Sequence, residues 1–134
     1  MATQSESPFT RTTGGAVSVF RLVKLSGANV VHNTETSTDE PIGVTQEAKA
    51  SGGAVAVRDI KHGGTHKVTA SGAITAGAKI YADDAGKVQA MPAAAGTYRE
   101  VGRALEAATA DGDIIEAHLK DSGETDVGSG SGSS

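Results

Sequence analysis

Apolar and polar side chains alternate along most of this chain in short runs separated by glycine-rich or acidic reversals. From Ala16 to Leu25, Val17, Val19, Val23 and Leu25 fall on one side and Phe20 and Leu22 on the other. That pattern predicts a strand buried in part on both faces. Shorter strands are predicted at Val30–His32, Ile42–Gln46, Ala54–Asp59 and His66–Thr69. Turns come between them: Asn33–Glu40 ends at Pro41, Ser51-Gly52-Gly53 supplies positive φ, and His62-Gly63-Gly64-Thr65 makes a further reversal. Ala78–Met91 reads as a hairpin that reverses at Asp83-Asp84-Ala85-Gly86 and turns Ile80 and Val88 inward. Beyond a loop at 91–96, Tyr98–Glu106 and Asp113–Leu119 form a last strand pair around Asp111-Gly112-Asp113. Glu/Ala-rich Thr45–Ala50 and Leu105–Ala110 also suit a helical turn, but each is too short to stand as a helix.

One similarity is internal. Ile42-Gly43-Val44-Thr45-Gln46-Glu47-Ala48, then Gly53-Ala54-Val55, matches Val101-Gly102-Arg103-Ala104-Leu105-Glu106-Ala107, then Gly112-Asp113-Ile114, at one constant offset. Two related hairpins facing one another are expected from it, with the biased composition as the competing explanation.

The predicted class is therefore all-β, a small barrel or sandwich over residues 15–120. Residues 1–14, polar and ending in Gly14, read as a flexible N-terminal arm, and 121–134, acidic and Gly/Ser-rich, as a disordered tail. Within the arm, Pro8, Phe9, Thr10 and Arg11 are the candidate partner-binding residues. An extended segment can add a strand to a neighbour's sheet edge, with Phe9 as an anchor. A frayed terminus is the alternative.

Composition narrows the function. The chain has 134 residues, room for one compact domain, and few large core-forming side chains, so association between subunits is a plausible source of further burial. It has no cysteine, which excludes disulfides, thiolate metal sites and cysteine nucleophiles. No run reaches the ~20 apolar residues of a membrane helix, and the polar start lacks the plan of a signal peptide, so no membrane partner is expected. A formal charge of −4 without basic clusters, and only two Phe and two Tyr, argue against a nucleic-acid partner.

Catalytic, cofactor and metal readings find no support in the pattern. His62 and His66 are four residues apart, but Gly63-Gly64 opposes a helix and no third ligand follows, so exposed turn histidines are expected. Asp83 and Asp84, and Asp111 and Asp113, lack the ligand alternation of a calcium loop and suit turns instead. The Gly pairs have neither dinucleotide nor P-loop form, and no nucleophile elbow frames a serine. The chain is expected not to be an enzyme.

Several segments carry a resemblance to a family. Pro41-Ile42-Gly43-Val44, Ala73–Tyr81 with Asp84-Ala85-Gly86-Lys87-Val88, Val101–Ala108 and Asp111–Leu119 resemble, in order and spacing, the small Ala/Gly-rich capsid decoration or cement proteins of phages. The likeness spans about residues 15–120. It implies a barrel-like body and a homotrimer bound to the major capsid protein, on the outside of an icosahedral head that it stabilises. A head–tail joining or fibre-associated β-protein, or a carbohydrate-binding module, are the rival expectations.

Overall fold

The computed structural model describes residues 9–35, 40–60, 65–92, 95–119 and 124–127, with Phe9 and 124–127 described in their main chain. The strands are β1 (Phe9–Thr12), β2 (Leu22–Ser26), β3 (Asn29–His32), β4 (Gly43–Thr45), β5 (Ala54–Asp59), β6 (His66–Thr69), β7 (Lys79–Ala82), β8 (Val88–Gln89), β9 (Gly96–Ala104), β10 (Ile114–Leu119) and β11 (Glu124–Val127). A 3-10 turn at Asp84–Gly86 joins β7 to β8. The fold is all-β, in two antiparallel sheets. One runs β1-β5-β4-β2-β3; the other runs β6-β10-β9-β7-β8, with β11 added to β9. Neither sheet is closed into a barrel, and the two ends of each are linked by an isolated parallel bridge, Thr13–Val30 in the first and Ala70–Val88 in the second.

Laying β1–β5 on β6–β10 in chain order reproduces the same strand order, so the chain is two copies of one five-stranded unit. The agreement reaches individual residues. Phe9 pairs with Val57 and Arg11 with Val55, as His66 pairs with Ala117 and Val68 with Ile115. The antiparallel bridge Val17–Lys49 is matched by Ile74–Ala108. Glu47 Oε2 accepts from the Ala56 N–H at 3.1 Å, and Glu106 Oε1 accepts from the Glu116 N–H at 2.8 Å. Each glutamate satisfies a strand amide that would otherwise lack an acceptor in the ladder. The similarity expected for two hairpins thus extends over both halves. Its offset is not constant, because the β9–β10 turn holds one extra residue, Thr109, between the equivalents of Lys49 and Ala50.

The interiors correspond as well. Val17, Val23, Val30, Val55 and Val57 fill the first unit. Ile74, Ile80, Val88, Ile115 and Ala117 stand in their places in the second, in a cluster that also takes in Leu22 and Val44. Those two residues point out of the first unit and into the second. They form the joint between the halves, with Phe20 packed against the same cluster. Burying a side chain of this kind contributes about 1.5–3 kcal/mol, so the joint is a true part of the core.

Several expectations are corrected. The strand expected over Ala16–Leu25 begins only at Leu22, because Phe20 adopts φ 57° and breaks the run. Its equivalent in the second half is Gly77, φ 88°. A left-handed conformation costs a non-glycine residue roughly 1–2 kcal/mol. At Phe20 the surroundings hold it: its carbonyl accepts from both the Thr69 N–H (3.1 Å) and the Thr69 Oγ1 hydroxyl (3.0 Å). The helical turns considered at Thr45–Ala50 and Leu105–Ala110 are bends leading into bridges. Of the arm expected over 1–14, Phe9–Thr12 form β1, paired along β5 of the same chain. Of the tail expected over 121–134, Glu124–Val127 form β11, paired with β9.

Candidate partner-binding surface

Thr10 and Arg11 are exposed and lie on β1 at the end of the first sheet. Pro8 lies outside the described residues. The strand addition expected of this segment is made to its own β5. Immediately after β1, the buried Thr13 donates its Oγ1 hydroxyl to the Ala50 carbonyl at 2.7 Å, and the Gly14 N–H donates to the Val30 carbonyl at 2.8 Å. These bonds pin the base of the N-terminal segment to the β4–β5 connection and to β3, the opposite edge of the sheet.

The histidines divide differently from the sequence expectation. His62 and the reversal at 62–64 lie outside the described residues. His66 is a buried strand residue, not an exposed turn residue, and its Nε2–H donates to the Asp59 carbonyl at 2.9 Å across the joint. The buried face of β6 places it there. Beside it, Phe20, Gln46, Arg58, Lys67 and Glu116 border a shallow groove between the halves. His32 lies on β3, where its Nε2 accepts from the Ser18 N–H at 3.0 Å. Burial, and then the Arg21 guanidinium, push its pKa below the ordinary histidine value.

The acidic pairs serve turns. Asp83 accepts from the Asp84 N–H at 2.7 Å and the Ser71 hydroxyl at 2.6 Å, capping the 3-10 turn. Asp111 pairs with Lys87 at 2.6 Å. Asp113 accepts from the Thr109 N–H, the Thr109 hydroxyl and the Ala110 N–H, and these bonds hold its carboxyl below the usual aspartate value. Among the described residues no cluster of three or more His, Asp or Glu side chains could hold a metal ion.

The sequence reading passed over the outer face of β7, β9 and β10. Lys79 stands opposite Arg103, and Arg103 opposite His118, so three cationic or protonatable side chains line up across three strands. All are exposed. Two residues on from Arg103 and His118, on the same face, come Leu105, just past the end of β9, and Glu116, and then Ile114. Leu105 is 44% and Ile114 47% exposed. The signal lay in the repeat: aligning the halves puts Lys79 and Arg103 at the positions of Leu22 and Val44.

Residues 4–119 match the family described as phage cement protein. The chain belongs to that family. Membership makes the cement protein a structural component of the phage virion, associated with the capsid. A comparison with curated proteins found no match. The fold is shared with the crystal structure of the head fiber gp8.5 N base in bacteriophage phi29. The two agree with a TM-score of 0.67 and 18% identity, over 86% of this chain and 94% of that one.

Proposed function

We propose that the cement protein binds as a homotrimer to the outside of an icosahedral phage head, contacts the major capsid protein there, and stabilises the shell without catalysis or a cofactor. The observation that carries this reading is the family match over 4–119. The mechanism is linkage: a protein that binds only the mature lattice stabilises that lattice by mass action. Trimer formation would multiply the contacts, since each later subunit binds at high effective concentration. Within this reading each five-stranded unit acts as a small barrel, supported by the edge-to-edge bridges Thr13–Val30 and Ala70–Val88.

The test is to add the purified chain to heads assembled without it. Its mass in solution gives the subunit count, electron microscopy gives its position, and heating the particles reads out stabilisation. Decorated heads that lose DNA at a higher temperature than bare heads support the reading. Heads that stay bare at saturating protein would end it.

The likeness to a head fiber base favours a second reading, in which the chain is the foot of a longer projection. Density extending from the bound protein as a narrow three-fold stalk would distinguish this from a low-lying cap.

A further inference from the structure

The two units are joined asymmetrically. The first buries its Leu22–Val44 face, carried on β2 and β4, against the second. The second meets it with β6 and the turn after β7. There Thr69 bonds the Phe20 carbonyl, the Gly86 N–H donates to the Asn33 carbonyl, and Ala85 accepts from the Arg21 guanidinium. Among the described residues, the second unit's own version of the Leu22–Val44 face, on β7 and β9, meets no counterpart of the kind that covers the first. It is the face that carries Lys79, Arg103, His118, Leu105 and Ile114.

This face differs from an ordinary solvated one in two respects. Like charges directly opposite one another across strands are destabilising, yet Lys79 and Arg103 are aligned in this way, with His118 on the far side of Arg103. Two acids flank this row: Glu100, opposite the buried Tyr81 two residues along β7 from Lys79, and Glu116, opposite Lys67, which accepts from the Thr65 hydroxyl at 2.9 Å. Arg103 is occupied by the Gly77 carbonyl, 2.7 Å from its guanidinium. Gly77 is the equivalent of Phe20, whose carbonyl makes the joint in the first unit. Beside the cations stand two of the large hydrophobic residues that the described chain leaves exposed. Exposed apolar side chains beside cations on one sheet face suit contact with another protein.

We propose that the outer face of β7, β9 and β10 docks an acidic protein surface of the phage shell, with Leu105 and Ile114 as apolar anchors, Lys79 and Arg103 as the pairing cations and His118 as a polar contact beside them. The inference rests on the capsid-binding reading and names the face that carries it. The same charges oppose a second copy of the chain at this place. The surface that would have to meet them, β1 and the β2–β3 turn, presents Thr10, Arg11 and Thr12, then Ser26, Gly27 and Ala28, with no carboxylate. Head-to-tail joining therefore stops after two units, as a charged terminal repeat stops a solenoid.

The experiment titrates the full chain onto heads assembled without it, at low and high salt. It compares the wild type with Lys79→Glu/Arg103→Glu, with Leu105→Ser/Ile114→Ser, and with Lys49→Glu, an exposed reversal on the other unit. Circular dichroism and solution mass are recorded for each. The expected result is binding weakened roughly tenfold or more by either double variant, unchanged by Lys49→Glu, and weaker at high salt for the wild type. Folded double variants that decorate heads as the wild type does would overturn the face assignment and leave the capsid reading standing. A change in solution mass on charge reversal would overturn it too, by making the face a contact between copies. Wild-type protein that fails to bind heads would remove the capsid reading and this inference together.

Discussion

Gly43 and Gly102 occupy the same place in the two units, each with the neighbouring strand's main chain pressed against its α-carbon. A β-carbon on Gly43 would run into the Arg58 carbonyl, and one on Gly102 into the His118 carbonyl, residues that are themselves equivalent. The obstacle in each case is backbone, which cannot swing aside as a side chain can. Gly43→Ala and Gly102→Ala should each cost about 1–3 kcal/mol, read as a lower urea midpoint with an unchanged slope. Stability within error of the wild type for either would mean that the strands separate more easily there than the packing implies.

Leu22 tests the joint. It is fully buried, yet its side chain belongs to the core of the other unit. Leu22→Ala should therefore cost about 2–5 kcal/mol, the range for emptying a packed leucine site. Because both units share the loss, unfolding followed by hydrogen exchange should show amides of β4 and of β6 weakened together. Loss confined to β2–β5 would mean that the units fold independently.

His32 supplies a pH dependence. Its folded pKa lies below the unfolded value of about 6.5, so in the window between the two the unfolded chain binds more protons. The stability it contributes is fully present above about pH 6.5 and falls as pH drops through the folded value. Protonation would also remove the lone pair that accepts the Ser18 N–H. A neutral substitute, His32→Gln, should flatten the thermal midpoint between pH 7.5 and 5, conditions spanning roughly one unit either side of a typical histidine pKa. An equally steep profile in the variant would assign the effect elsewhere.

Asp113 has the opposite sign. Its folded pKa is depressed by three hydrogen bonds from Thr109 and Ala110, so its contribution is present above the ordinary aspartate value and is lost as pH falls through the lower folded one. Asp113→Ala should lower the thermal midpoint at neutral pH, and the difference from wild type should shrink on acidification. A gap that persists unchanged at low pH would show that the carboxylate's charge is not what organises the β9–β10 turn.

The N-terminal segment calls for a cut that spares the sheet. Removing residues 1–13 would strip β1 from β5, whereas removing 2–8 leaves Phe9–Thr12 paired. If the segment contributes to capsid binding, the shorter deletion should weaken decoration roughly tenfold, as loss of one tethered contact per subunit does, without altering the solution mass. Unchanged affinity would confine binding to the folded body.

Much of this architecture is legible in the sequence. Ala54–Asp59 and His66–Thr69 are strands with the expected limits, because clean alternation and flanking glycines leave little choice of register. The Ile80–Val88 hairpin is also as expected. Ala16–Phe20 is not, since an alternating run gives no sign that Phe20 will enter a left-handed conformation stabilised by Thr69, 49 residues away. The repeat shows as one matched segment, while its full extent is hidden because equivalent positions share burial and not identity: Val23 with Ile80, Val57 with Ala117. The Lys79–Arg103–His118 row stays hidden for a related reason unless the halves are aligned residue by residue. Its members come from three strands, and only the pairing of β7, β9 and β10 brings them side by side.

The presence of both units on one polypeptide changes what selection can do with them. Once the peptide linkage guarantees that they meet, the joint is settled during folding whatever the concentration of protein in the infected cell. The duplicate of the joining face is then released from that duty, and its residues are free to drift toward whatever the assembled particle requires.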